Sequence, residues 1–261
     1  MRHVLFILGV LAAGTVFSNP YHLQLMTFIG IYTLLALGLN MLMGYAGQIS
    51  LGHAAFFGLG AYTTAVFTVR WGISPWTALP AALVLTAVVA FLVALPMLKL
   101  SGFYLGMGTL GFGMIVFILF RECGVLTGGD SGLAGIPPLT VGGWALDTGR
   151  RYYFLVWAVV FLCFVACERL VHSRMGRALR AIHDSEPAAQ AMGIDTSRVK
   201  IRIFVLSAVF SSLAGFLYAH QVSFISPGSF DFLMSVRMVT MVVIGGMASI
   251  WGSLLGASLL T

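Results

Sequence analysis

The sequence predicts an all-α protein, a polytopic transmembrane helical bundle, and three observations lead there. Of the 261 residues, 59% are hydrophobic and only 8% charged, against about 25% charged in ordinary soluble domains. The apolar residues form long uninterrupted runs, whereas barrel strands would need short alternating ones. The basic residues gather mainly at the edges of those runs, where they signal topology. A spanning helix takes roughly 20 mainly apolar residues, so the length accommodates about eight or nine spans in a single membrane domain over 1–261.

The runs fall at about 4–18, 25–44, 51–69, 76–98, 103–120, 152–170, 201–219 and 234–250, with a last apolar stretch reaching Thr261. The first follows Arg2 and His3 as a signal peptide would, but Thr15-Val16-Phe17-Ser18 offers no A-x-A-like cleavage site, and it reads as a short retained span. Across the second and third runs lies N-M-L-M-G-Y-A-G-Q-I-S-L-G-H-A-A-F-F-G, Asn40 to Gly58. There Asn40, Gln48, Ser50 and His53 interrupt apolar sequence, and the glycines permit a broken helix. Polar groups at membrane depth persist where they face protein or a water-filled cavity. These four are therefore candidates for a translocation pathway, with interhelical hydrogen bonding as the competing reading. The fifth run carries Gly102, Gly106, Gly108, Gly111 and Gly113, small residues that let helices approach closely in lipid.

Two connections are long enough to carry function. One, 121–151, is rich in Gly and Pro and contains Asp130. The other, about 171–200, reads as two helical pieces, R-M-G-R-A-L-R-A-I-H and E-P-A-A-Q-A-M-G-I, with Pro187 tolerated at a start and Gly193 at a stop. Ala188, Ala189, Ala191 and Met192 give it a face to bury; a basic tether beside anionic lipid is the alternative. Asp231 and Arg237 bracket the start of the eighth run, where charges are commonly solvated or paired.

An N-terminus in the cytoplasm puts Arg2, Lys99, Arg169, Arg174, Arg177, Arg180, Arg198, Lys200 and Arg202 inside, and Arg70, Arg121, Arg150 and Arg151 outside. That distribution obeys the positive-inside tendency, and the opposite orientation reverses it. The net charge of +6 thus serves the membrane and implies no nucleic acid. Neither lysine follows a glycine, so the chain has no G-x-x-x-x-G-K-[ST] phosphate loop. Ser50 and His53 share a helix face at i, i+3, but no third orienting group accompanies them and Q-I-S-L-G lacks the first glycine of G-x-S-x-G. The histidines and the three cysteines show no metal-ligand spacing, and no cofactor is implied. An ion-coupled secondary transporter is the alternative class, disfavoured because none of the eight acidic residues lies mid-span.

The Asn40–Gly58 stretch resembles the permeases of branched-chain amino acid ABC importers, a family that also contains urea and amide importer permeases. The likeness continues through T-G-G-D-S-G-L-A-G-I-P (127–137), G-R-A-L-R-A-I-H-D-S-E-P-A-A-Q-A-M-G-I-D (176–195) and V-I-G-G-M-A-S-I-W-G-S-L-L-G-A (243–257). The extended 121–151 connection is more similar to the longer partner of the usual heteromeric pair. The resemblance implies a multi-pass subunit of the bacterial cytoplasmic (inner) membrane that passes branched-chain amino acids or a related small polar solute. It implies as partners a second permease, two ATP-binding subunits that alone hydrolyse ATP, and an extracytoplasmic binding protein met on the side of Asp130 and Ser131. Coupling to the ATPases would fall to Gly176, Arg177, Arg180, Glu186, Ala188, Ala189 and Gly193, which include the A-A-x-x-x-G part of the importer coupling motif. Pro187 directly before the alanines departs from the full E-A-A-x-x-x-G form. Ala248 and Ser253 stand where relatives often have Gly and Pro, and relatives continue beyond Thr261, so C-terminal truncation is expected.

Overall fold

A computed structural model describes residues 6, 8–11, 14, 15, 19–97, 100, 102–141, 144–146 and 149–261. Arg2, His3 and Lys99 lie outside the described residues, as does much of the expected 4–18 span. The described residues between 6 and 15 are helical, and the Tyr153 hydroxyl donates to the Val10 carbonyl at 3.0 Å.

The chain is a polytopic helical bundle. Its elements are α1 (Pro20–Ala46), α2 (His53–Ala65), α3 (Pro75–Met97), α4 (Phe103–Glu122), α5 (Gly149–His172), α6 (Arg174–Asp184), α7 (Glu186–Ala191), α8 (Thr196–Val222), α9 (Phe232–Gly245) and α10 (Ile250–Leu260). Among the described residues, six segments are long and apolar enough to cross a membrane: α1, α3, α4, α5, α8, and α9 with its preceding 3-10 turn.

Two expected spans have different anatomy. The run at 51–69 is a 13-residue α-helix continued by a π turn over Val66–Arg70. The run at 234–250 is interrupted, because α9 ends at Gly245 and the chain reverses through 246–249 into α10. Continuous hydropathy conceals both, since apolar side chains continue through a change of backbone hydrogen bonding.

Helices α1 and α8 form the centre. α1 is nearly enclosed from Gly30 onward, whereas α3 and α4 each bury a narrow stripe and leave apolar side chains such as Val84, Leu92, Ile115 and Ile118 exposed. In a bilayer such side chains contact lipid or another subunit, so hydropathy alone cannot rank the helices by centrality. α2 and α8 cross at contact distance: a Cβ on Gly60 would fall on the Ser212 backbone, and one on Gly215 on the Phe57 carbonyl.

One end of the bundle holds α6 and α7. Ser173 caps α6 through the Met175 and Gly176 N–H groups, and Ser185 caps α7 through Ala188. Gly193 ends that segment at φ +81°. The opposite end carries the connection between α4 and α5, where β1 (Leu133–Ala134) pairs antiparallel with β4 (Phe224–Ile225) just after α8. A further short ribbon joins β2 (Thr140–Val141) to β3 (Trp144–Ala145).

Candidate functional site

Around the stretch between α1 and α2, polar groups gather from six helices: Asn40 of α1, His53 of α2, Thr109 of α4, Ser207 of α8, Ser235 of α9 and Ser253 of α10. α1 stops because Gly47 takes a left-handed conformation (φ +65°), and its N–H and that of Gln48 return to the Met43 and Leu42 carbonyls. Residues 47–52 are non-helical. Two N–H groups at this junction find side chains: Leu51 N–H donates to Thr109 Oγ1 of α4 at 3.0 Å, and Ala54 N–H, in the first turn of α2, to Ser235 Oγ of α9 at 3.1 Å. The second satisfies an orphan donor of the first turn of α2, which has no side-chain cap of its own.

His53 is fully buried and bridges two serines, with Nδ1 2.7 Å from Ser50 Oγ and Nε2 2.6 Å from Ser207 Oγ. Ser207 has one hydrogen, and it goes to the Gly38 carbonyl at 2.7 Å. Nε2 must therefore be the donor toward Ser207, leaving Nδ1 to accept from Ser50. The resulting chain, Ser50 to His53 to Ser207 to Gly38, ties α2 to α8 and α1. It ends on a backbone carbonyl, with no carboxylate and no exposed ring edge, so it is not a nucleophile and base.

Asn40 makes a second tie. Its Nδ2 donates to the Ser249 carbonyl at 2.7 Å and to Ser253 Oγ at 3.0 Å, while its Oδ1 accepts from Ala248 N–H at 3.0 Å. Ala248 itself sits at φ +59°, the left-handed region that favours glycine. Gln48 differs: it is buried, and neither its Oε1 nor its Nε2 has a hydrogen-bond partner among the described residues.

The 171–200 segment leans on this break. A Cβ added to Gly47 would stand 2.9 Å from His183 Nδ1 of α6. Arg177 and Arg180 donate to the His172 and Val171 carbonyls, both at 3.4 Å, satisfying the end of α5. Gly176 has no room for a side chain, since a Cβ would strike the Val171 carbonyl. Glu186 pairs with the mostly buried Lys200 of α8, and Gln190 donates to Thr196 Oγ1 at 2.9 Å. Ala189 is buried, while Pro187, Ala188, Ala191 and Met192 are exposed, Met192 at 84%.

At the other end Arg121 grips Asp130 through two bonds of 2.7 and 3.0 Å. That hydrogen bonding holds the Asp130 carboxyl below the usual carboxylate range. Ser131 is exposed beside it. Nearby, a cavity of about 310 Å³ opens between α1, α8 and α9, lined by Tyr32, Tyr218, Ser229, Asp231, Met234 and Arg237. A second, of about 220 Å³, lies toward the α6 end and includes Tyr45, Glu168, His172 and Ser249. Asn40, Gln48, Ser50 and His53 line neither. Among the described residues, no group of three or more His, Cys, Asp or Glu could hold a metal ion.

Sequence reading missed Ser207, Ser235, Thr109 and His183, because each acts across a long separation. The run S-A-V-F-S-S in α8 was the available signal: Ser207 and Ser211 at i, i+4 face inward within an apolar helix, both fully buried.

The chain is 37% identical over 259 residues to the high-affinity branched-chain amino acid transport system permease protein LivM of Escherichia coli (strain K12), covering 90% of this chain and 60% of that protein. It thus spans about 60% of the length of that relative. It is 28% identical over 248 residues to the permease protein LivH of the same organism, and 25% identical over 251 residues to the permease protein BraD of Pseudomonas aeruginosa. Each of those two alignments covers 88% of this chain and 79% of the relative. No solved structure matches the chain. The family described as branched-chain amino acid transport system / permease component matches residues 21–261, and with that extent of agreement the chain belongs to this family of membrane permease components.

Proposed function

We propose that the chain is a membrane-spanning permease subunit of an ATP-driven importer for branched-chain amino acids or a related small polar solute. In this reading it sits in the bacterial cytoplasmic membrane and pairs with a second permease. Two separate ATPase subunits drive it, and an extracytoplasmic binding protein delivers the solute near Asp130 and Ser131. α6 and α7 face the cytoplasm.

One observation carries the reading: α6 and α7 are braced against the break in α1 on one side and present exposed apolar side chains on the other. His183 presses on Gly47, and Glu186 anchors α7 to Lys200. Pro187, Ala188, Ala191 and Met192 are then free to meet an ATPase surface. The departure at Pro187 leaves Glu186 one residue early, and it is engaged within the chain, so docking rests on apolar contact.

The mechanism follows from the packing. A push on α7 reaches α8 through Lys200, and a push on α6 reaches Gly47. The 47–52 segment has few backbone hydrogen bonds of its own, so it is the natural pivot for two discrete helix arrangements. Asn40, Ser50 and His53 hold the wall of the pathway on either side of that pivot, and Gln48, buried with no hydrogen-bond partner among the described residues, is the polar group free to change contacts. The test is ATP-coupled uptake by the assembled importer after the 176–195 segment is scrambled. Loss of coupling with assembly intact is expected; undiminished uptake would overturn the assignment.

A further inference from the structure

We infer that the cavity between α1, α8 and α9 is a transit site for a zwitterionic amino acid, with Arg237 receiving its carboxylate. The inference rests on the importer reading above and specifies where the solute is held inside this subunit.

Arg237 lies within an apolar helix, one turn and a half past the start of α9. A charged side chain at such a position is costly in a bilayer and marks a site or a partner. Among the described residues Arg237 makes no ion pair, unlike Arg121 with Asp130, Arg198 with Asp195 and Lys200 with Glu186. The guanidinium stands beside the Tyr32 hydroxyl of α1 and lines a cavity of about 310 Å³, at the lower end of the range for small-molecule sites. The same wall carries Asp231, whose Oδ1 caps the Met234 N–H at 2.9 Å and which makes no ion pair among the described residues. Leu233 and Met234 supply apolar surface between them.

One cation, one anion and an apolar wall are the complement of an amino acid with an aliphatic side chain. The guanidinium fork suits a carboxylate, Asp231 suits an ammonium group, and Leu233 and Met234 suit the side chain. The short α9 also directs its positive N-terminal end toward this cavity. The cavity lies at the end of the bundle that carries β1 and β4, with Ser229 in the connection that follows β4, where a solute released from a binding protein would arrive.

The experiment uses the whole importer, co-expressed with its partner subunits and reconstituted in liposomes with the binding protein. Uptake of leucine is compared for the unmutated assembly, R237K, R237Q and D231N, alongside subunit co-purification and ATPase activity stimulated by the loaded binding protein. Competition by leucinamide, which lacks the carboxylate, is measured in parallel. D231N keeps the capping oxygen and removes only the charge.

R237Q is expected to lower leucine uptake at least about thirtyfold while the complex stays assembled. R237K should recover part of the loss, and D231N should raise the KM. Leucinamide should compete with leucine poorly. Uptake by R237Q equal to the unmutated assembly would overturn the site and leave Arg237 as a headgroup anchor. Dissociation of the second permease in R237Q, with R237K restoring it, would overturn it by assigning Arg237 to a subunit interface. Failure of the unmutated assembly to take up any zwitterion while it takes up urea or an amide would overturn the site and leave the importer reading standing, whereas failure to take up any of these solutes would take down both.

Discussion

Removing the His53 imidazole leaves the Ser50 and Ser207 hydroxyls without their shared partner inside the protein. Such a loss costs about 1–3 kcal/mol, or about 2–4 °C in melting midpoint per kcal/mol for a chain of this size. His53→Ala is therefore expected to melt several degrees lower in mild detergent; an unchanged midpoint would remove the relay from the account of stability. Ala248 predicts the opposite sign. Its φ of +59° costs an L-residue about 1–2 kcal/mol, and Gly returns about 0.4–1 kcal/mol of that through the entropy of the unfolded chain. Ala248→Gly should gain about 0–1.6 kcal/mol in the same melting experiment, and a clear loss would mean that the turn is built otherwise. The sequence displayed Asn40, Gln48, Ser50 and His53 as polar residues in apolar surroundings. Whether such a group faces a pathway or another helix depends on partners more than a hundred residues away, which no local pattern specifies.

Helices were legible where start and stop signals stand in the sequence, as at α7 with Pro187 and Gly193, whereas the serine caps at Ser173 and Ser185 emerged only with the fold. Glycine content was a poorer guide. The four glycines within α4 differ: a Cβ on Gly111 meets nothing within 4 Å, one on Gly106 or Gly113 would stand 3.3 Å from Ile49 or Gly52, and one on Gly108 2.6 Å from the Met97 sulfur, while helix backbones meet directly where Gly60 and Gly215 cross. Spacing reveals a smooth face but not what lies against it. A paired substitution tests this: in the isolated chain Gly215→Leu should cost at least about 1–3 kcal/mol by overpacking and sensitise α2 and α8 to protease, while Gly111→Leu should leave digestion unchanged. Helix α7 depends on the Glu186–Lys200 pair, and losing a charged hydrogen bond of this kind is worth about 1.5–3 kcal/mol. Glu186→Ala should accelerate amide exchange in α7 about tenfold or more, since local opening follows local stability. Equal exchange rates would show that the apolar contact of Ala189 suffices.

For the whole molecule, the proposed orientation makes a prediction about thiols. Cys123 is exposed at the end carrying the 121–151 connection, while Cys163 and Cys167 are buried in α5. An impermeant maleimide added to intact spheroplasts should label Cys123 alone; labelling only after lysis would invert the topology. The composition established the membrane bundle, and the placement of arginines suggested its orientation. The number of complete crossings was not readable, because the α9–α10 reversal is as apolar as the helices it joins. The trans-cap of α2 carries one more consequence, for biogenesis. The first turn of α2 is completed by Ser235, and His53 by Ser207, both synthesised long after α2 has left the ribosome. Until α8 and α9 insert, the nascent chain holds a half-made polar hub in lipid, so an insertion factor that shelters early helices would recognise this chain by that unfinished junction, and nonsense products ending before residue 207 should be degraded fastest.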